Sequence, residues 1–181
     1  MRRDELEQYA GRTIPDLMPD DLRLLFVGIN PGLVSAATGL HFARPGNRFY
    51  PALARAGVLP EGVVAAAEAE PLLADQGIGI TNVVARSSAR ADELSSDEIV
   101  AGYERLGTLV TSRRPRVVAF LGITTYRIAT GDRNARTGRQ DSAWPGTDVW
   151  VAPNPSGLNA HATLDSLARD YRTIAEAADV I

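Results

Sequence analysis

The sequence predicts an α/β protein built on a mainly parallel sheet with helices on both faces. Short, near-continuous apolar runs at Leu22–Ile29 and Arg116–Gly122 read as strands buried on both sides. Amphipathic stretches with helix start and stop signals lie between such runs. Because the two kinds of element alternate, the strands are joined by crossovers of right-handed sense rather than by hairpins. The 181 residues suit one domain with a single core, so residues 1–181 are expected to form it, with 1–20 as an N-terminal extension or helix.

After the first strand, "NRFYPALARAG" (Asn47–Gly57) reads as a helix closed by glycine, with Pro51 tolerated in its first turn. Ala65–Gln76 is expected to be helical, interrupted or restarted near Pro71, and Gly77–Val84 is a short β-rich run. The clearest helix is "SSDEIVAGYERLGTLVTSRR". Ser95 and Glu98 form a capping box there, and Ile99, Tyr103, Leu106 and Leu109/Val110 fall on one face. Arg116–Gly122 is the next strand and Ile123–Thr130 a short helix. "GDRNARTGRQDSAWPG" is a loop or hairpin excursion, Asp148–Ala152 the last strand, and Ala162–Ala178 the closing helix.

Composition narrows the chemistry. Hydrophobic residues make up 45% and charged residues 23%, as in ordinary globular proteins. No apolar run approaches the ~18 residues of a membrane span, and the charged opening "MRRDELEQYA" lacks the apolar core of a secretory signal. There is no cysteine, and His41 and His161 are the only histidines, a poor supply for a metal site. A cytoplasmic protein without membrane contact, metal or cofactor is expected. All 19 cationic residues are arginine, so neither a phosphate-loop lysine nor a lysine Schiff base can form. The net charge of −3 argues against an extended nucleic-acid-coating surface but leaves room for a local basic face.

Two strands end in matching phrases, "VGINPG" around Asn30 and "APNPSGLN" around Asn154. Either could be a plain turn, with Pro fixing φ and Gly accepting a positive φ. In open α/β sheets, however, ligands bind beyond the carboxyl ends of the strands, and both phrases sit there. So does "TNVVARSSARADEL", after the Gly77–Val84 strand. "GIG" at Gly77–Gly79 lacks the context of a nucleotide loop. A hydrolase pairing of Ser156 with His161 lacks a nucleophile elbow. Loop arginines follow these phrases: Arg44 and Arg48, Arg86 and Arg90, and Arg133, Arg136 and Arg139. They could be solvated loop charges or a basic rim around a shared site.

Together "GINPGLVSAATGLHFARPGNRFY", "GITNVVAR" and "PNPSGL", in this order from about Leu22 to Tyr171, resemble the mismatch-specific uracil/thymine-DNA glycosylase family of the uracil-DNA glycosylase superfamily. The resemblance implies a three-layer α/β/α sandwich around a short, mainly parallel sheet. It implies a monomeric enzyme that extrudes a base from mismatched double-stranded DNA and hydrolyses its N-glycosidic bond, leaving an abasic site. Uracil opposite guanine is the leading substrate, with thymine or other damaged bases as further candidates.

By motif match, Asn30 would position the attacking water, and Asn154 would lie near the scissile sugar. Phe42 would stack on the flipped pyrimidine, Asn82 would face its polar edge, and Ser35 would meet its 5-position. Backbone N–H groups near Ile29 and Phe42 would stabilise charge on the departing base. Ser156, Gly157 and Leu158 would form the loop entering the duplex, with Leu158 as an apolar wedge. Arg44 and Arg86 would contact DNA. Asn154 replaces a histidine of the efficient relatives, and Asn82 a lysine of some family members. Asp92 is the nearby carboxylate considered as a general base, with Glu93 behind it. Two competing readings are a catalytically silent member that binds mismatched DNA and an α/β nucleotide-binding or hydrolase domain unrelated to DNA.

Overall fold

The computed structural model describes residues 2–181. Four strands, β1 (Leu24–Gly28), β2 (Ile78–Asn82), β3 (Val117–Leu121) and β5 (Asp148–Ala152), form a parallel sheet. A short fifth strand, β4 (Gly138–Gln140), pairs antiparallel with β5 at the edge, giving the order β2-β1-β3-β5-β4. The excursion after the Ile123–Thr130 helix is thus a hairpin arm.

Strand side chains alternate between two cores. Leu24, Phe26, Ile78, Ile80, Val117 and Ala119 pack beneath α3 (Phe49–Ala56), α4 (Ala66–Asp75) and α7 (Leu164–Ala177). Leu25, Val27, Val118, Phe120, Val149 and Val151 face α5 (Ser96–Arg113) and α6 (Ile123–Thr130). Burial on both faces is why the central strands read as unbroken apolar runs. The Ser95–Glu98 capping box is present, and Gly102 of α5 lies where an added Cβ would strike the Val83 carbonyl, so this helix sits close over the end of β2. No helix among the described residues is long and apolar enough to cross a membrane.

Three local features differ from expectation or add to it. The Pro71 segment is one unbroken helix, because burial of Ala69 and Leu73 outweighs the backbone hydrogen bond that proline cannot donate. A six-residue helix, α2 (Leu33–Thr38), follows the first Asn-Pro phrase; "LVSAAT" carries no capping side chain and little local helix signal. The N-terminal segment holds a short helix, α1 (Arg3–Glu7). It then runs along β2, where Leu17 and Ile80 exchange backbone hydrogen bonds of 2.9 and 2.8 Å. This extension therefore covers a sheet edge.

Candidate active site

The carboxyl ends of β1, β2, β3 and β5 converge on a cavity of about 150 Å³, a volume that elsewhere accepts one six-membered ring. Its lining includes Ile29, Asn30, Ser35, Phe42, Asn82 and Asn154. Six residues spread over more than 120 positions of chain are brought together because parallel strands deliver all their C-terminal loops to one edge.

Asn30 is held by the segment that follows β2. Val83, Val84 and Ser88 donate backbone hydrogen bonds to the carbonyls of Gly28, Ile29 and Pro31, which tie the Gly-Ile-Asn-Pro turn to its neighbour. The Asn30 amide nitrogen donates to the Arg86 carbonyl at 3.1 Å and to the Ser88 hydroxyl at 2.8 Å. The Ser88 hydroxyl in turn donates to the Arg90 carbonyl at 2.7 Å. Both amide protons are thereby engaged, which fixes the flip of the side chain and leaves Oδ1 free to accept a hydrogen bond. A carboxamide held this way can orient a water but is too weak a base to deprotonate one.

The opposite wall is a strained turn. Phe42 has φ 50°, the left-handed region that costs a bulky residue of order 1–3 kcal/mol. The conformation persists because every neighbour is tied down. The Ala43 N–H donates to the buried Ser35 hydroxyl at 3.3 Å, and the His41 N–H to Glu70 at 2.7 Å. The Tyr50 hydroxyl donates to the His41 carbonyl at 2.9 Å and lies 3.1 Å from Glu70. Burial lowers the His41 pKa despite the nearby Glu70 carboxylate, so the ring is neutral and its Nε2 sits 3.1 Å from the Pro15 carbonyl. Burial likewise raises the Tyr50 pKa, with Glu70 reinforcing the shift. Behind Phe42 lies Phe49, with ring centroids 4.2 Å apart at 33°. The Phe42 N–H donates to no protein group among the described residues.

Asn82 closes the floor. It is only 6% exposed, yet its side-chain amide makes no hydrogen bond among the described residues. A buried amide without a protein partner at a cavity wall is suited to a ligand with donor and acceptor edges. Gly28 makes room for it: a Cβ there would lie 2.5 Å from Asn82 Oδ1 and 3.2 Å from the Phe42 ring.

On the far side, Asn154 Oδ1 accepts from the Ser156 N–H at 2.9 Å, and the Asn159 amide nitrogen donates to the Asn154 carbonyl at 3.0 Å. Ser156 Oγ accepts from the Leu158 N–H at 3.3 Å. These local turns present Leu158 with 76% of its surface exposed, a large apolar side chain in water that lines a depression adjoining the cavity through Ser156. Gly157 presses on the preceding loop, where an added Cβ would lie 2.5 Å from the Gly46 carbonyl oxygen. Arg48, at the start of α3, reaches across to the same loop.

The structure places two of the charged candidates in ion pairs. Asp92 does not line the cavity: its carboxylate is paired with Arg90 on the exposed rim, and that hydrogen bond lowers its pKa. A carboxylate so engaged is a poor general base. Arg86 is paired rather than free, because Glu98 accepts from its guanidinium with both oxygens at 2.5 and 3.0 Å. The same contact, joined by Ser95, draws the Glu98 pKa down to about 2. The basic rim is accordingly thin. Arg48 is turned inward, Arg139 is paired with Asp148 at 2.7 Å, and Glu93 reaches only the Ala89 N–H. Arg44 lines the cavity mouth, and its guanidinium has no hydrogen-bonded partner among the described residues.

Two contributors escaped the sequence reading, and a third was named only as a possible rim cation. Ser88 sits in an ordinary polar loop, Ile14 reaches the cavity wall from the N-terminal extension, and Arg48 looked like any loop cation. None has a spacing signal, because each acts across a tertiary contact.

The description of the uracil DNA glycosylase superfamily matches residues 15–177 of this chain. In structure the chain is similar to a candidate uracil DNA glycosylase from Methanosarcina acetivorans, solved by NMR, with a TM-score of 0.63 and 17% identity. The alignment covers 91% of this chain and 98% of that one; at this identity it speaks to the shared fold. With the family match spanning nearly the whole chain and its motifs gathered at one cavity, the protein belongs to the uracil DNA glycosylase superfamily.

Proposed function

We propose that this chain is a monofunctional glycosylase that removes uracil from G·U mismatches in double-stranded DNA. The observation that carries the reading is the fixed Asn30 amide in a cavity that also offers the Phe42 ring and the unpartnered Asn82 amide. An extruded pyrimidine would lie against Phe42 with its polar edge at Asn82. Extrusion costs a few kcal/mol, less for a mispaired base, which favours mismatches.

Asn30 Oδ1 accepts a hydrogen bond from the attacking water and places it by the sugar C1′. The glycosidic C–N bond breaks with its electron pair going to the base. The water oxygen bonds C1′, and its proton leaves to solvent. Uracil departs as a comparatively stable anion, so positioning can suffice without a strong base. The free Phe42 N–H is placed to meet charge on the base. Asn154, whose Oδ1 accepts one hydrogen bond within its own loop, keeps its amide nitrogen to offer near the sugar. Without any lysine, no imine to the sugar forms at a side chain, and the product is an intact abasic site.

The test presents G·U, A·U, G·T and single-stranded uracil DNA to purified protein and scores abasic sites, with and without alkali. Abasic sites from G·U that become breaks only after alkali are expected. Binding of mismatched DNA with no base release on any substrate would support the silent-member reading instead. Strand breaks without alkali would overturn the monofunctional assignment.

A further inference from the structure

The guanidinium of Arg48 donates to the carbonyls of Ser156 at 2.6 Å and Asn159 at 2.9 Å, and also to the Ala162 carbonyl. Its Nε lies 3.5 Å from the Pro155 carbonyl, and the Arg48 backbone N–H donates to that same oxygen at 3.0 Å. No carboxylate pairs with it among the described residues. A rigid fork of charged donors is thus spent wholly on main-chain oxygens of one loop. That loop carries Leu158, and its remaining ties are short-range turns. Residues 155–162 have no strand or helix of their own; beside the packing of Gly157 on Gly46 and the burial of Ala162 in the core, Arg48 supplies the hydrogen bonds that join them to the start of α3.

We infer that Arg48 is a positioning residue that holds the Leu158 loop in its duplex-entering shape before DNA arrives. The inference rests on the glycosylase reading above for its consequence and on the hydrogen bonds alone for its mechanism. A wedge must fill the gap left by the extruded base at the moment of extrusion. A loop that had to be ordered on binding would lose part of the gain to ordering entropy. Charge-assisted bonds to four carbonyls remove that cost in advance. Arg48 thereby serves extrusion, and the hydrolytic step at Asn30 does not depend on it.

The experiment compares wild type, Arg48→Met and Arg48→Lys on two substrates, a duplex G·U mismatch and a duplex in which the uracil is an unpaired one-nucleotide bulge. Backbone amide exchange of residues 156–161 is measured in parallel on the free proteins. Arg48→Met is expected to lose about 10²-fold in kcat/KM on the mismatch, the scale of an ångström-sized misplacement, and only a few-fold on the bulge. Loop exchange should rise in the same variant. Arg48→Lys keeps the charge without the fork and should show a smaller loss of the same pattern; it also serves should Arg48→Met fail to fold. Equal losses on both substrates, or unchanged exchange in the loop, would overturn the inference. A wild type inactive on both substrates would defeat the glycosylase reading while leaving the exchange measurement to decide the clamp.

Discussion

The Asn30 side-chain nitrogen donates to the Ser88 hydroxyl at 2.8 Å across 58 residues of chain. That bond, with the one to the Arg86 carbonyl, converts a freely rotating carboxamide at a strand end into an oriented acceptor. Ser88→Ala removes one of two restraints and leaves the other. A loss of about tenfold in kcat, roughly one hydrogen bond's worth, is expected with KM and melting temperature nearly unchanged. Asn30→Ala should lose far more, about 10²-fold or beyond. Single-turnover kinetics on G·U DNA reads both; a Ser88→Ala enzyme with wild-type kcat would show that the restraint is dispensable.

Gly28 lies beneath the cavity floor, where a methyl group would meet the tip of the Asn82 side chain rather than backbone. Gly28→Ala should therefore fold, since the amide can swing away, but base capture should suffer. An increase in KM of about tenfold or more, with a melting temperature within a few degrees of wild type, is the expected signature. Retained KM would mean that Asn82 does not contact the base.

Asp92 pairs with Arg90 on the rim, so Asp92→Asn should keep activity within about threefold, in the range of an exposed pair's small energy. Because its pKa is lowered, Asp92 stays ionised through the neutral range, and the pH–rate profile of the variant should keep its shape. Loss of a rate-controlling ionisation in the variant would restore the carboxylate to the mechanism.

Glu98 unites the cap of α5 with the Arg86 guanidinium, and its folded pKa of about 2 lies below its ordinary 4.5. A depressed acid stabilises the fold fully above the ordinary value and loses that contribution as pH falls through the folded one. Wild type should therefore lose stability relative to Glu98→Gln between about pH 4.5 and pH 2. Urea midpoints at pH 6, 4, 3 and 2 test this. A constant difference between the two proteins across that series would rule the linkage out.

Much of this molecule could be read from its residues because the information was local. β1, β3 and β5 are legible as apolar runs, since strands buried on both faces tolerate little else. The start of α5 follows from Ser95 and Glu98, and α6 was expected over Ile123–Thr130, as observed. Asn30 and Asn154 stood out as unusual residues at the carboxyl ends of such strands, whereas Phe42 and Asn82 were named only by their likeness to known motifs. Helix α2 was not, because six residues of middling propensity acquire their helix from the wall they pack against.

The charged residues mark the boundary. Sequence alone determined that the cations are all arginine, that two Asn-Pro phrases end two parallel strands, and hence where a site could form. Only the tertiary structure decided what each charge does: Arg86 is taken by Glu98, Asp92 by Arg90, and Arg48 by four carbonyls of a distant loop. A strand announces itself through its own periodicity. A guanidinium carries the same five donors wherever it stands, and its role is set by whichever oxygens the fold brings within reach.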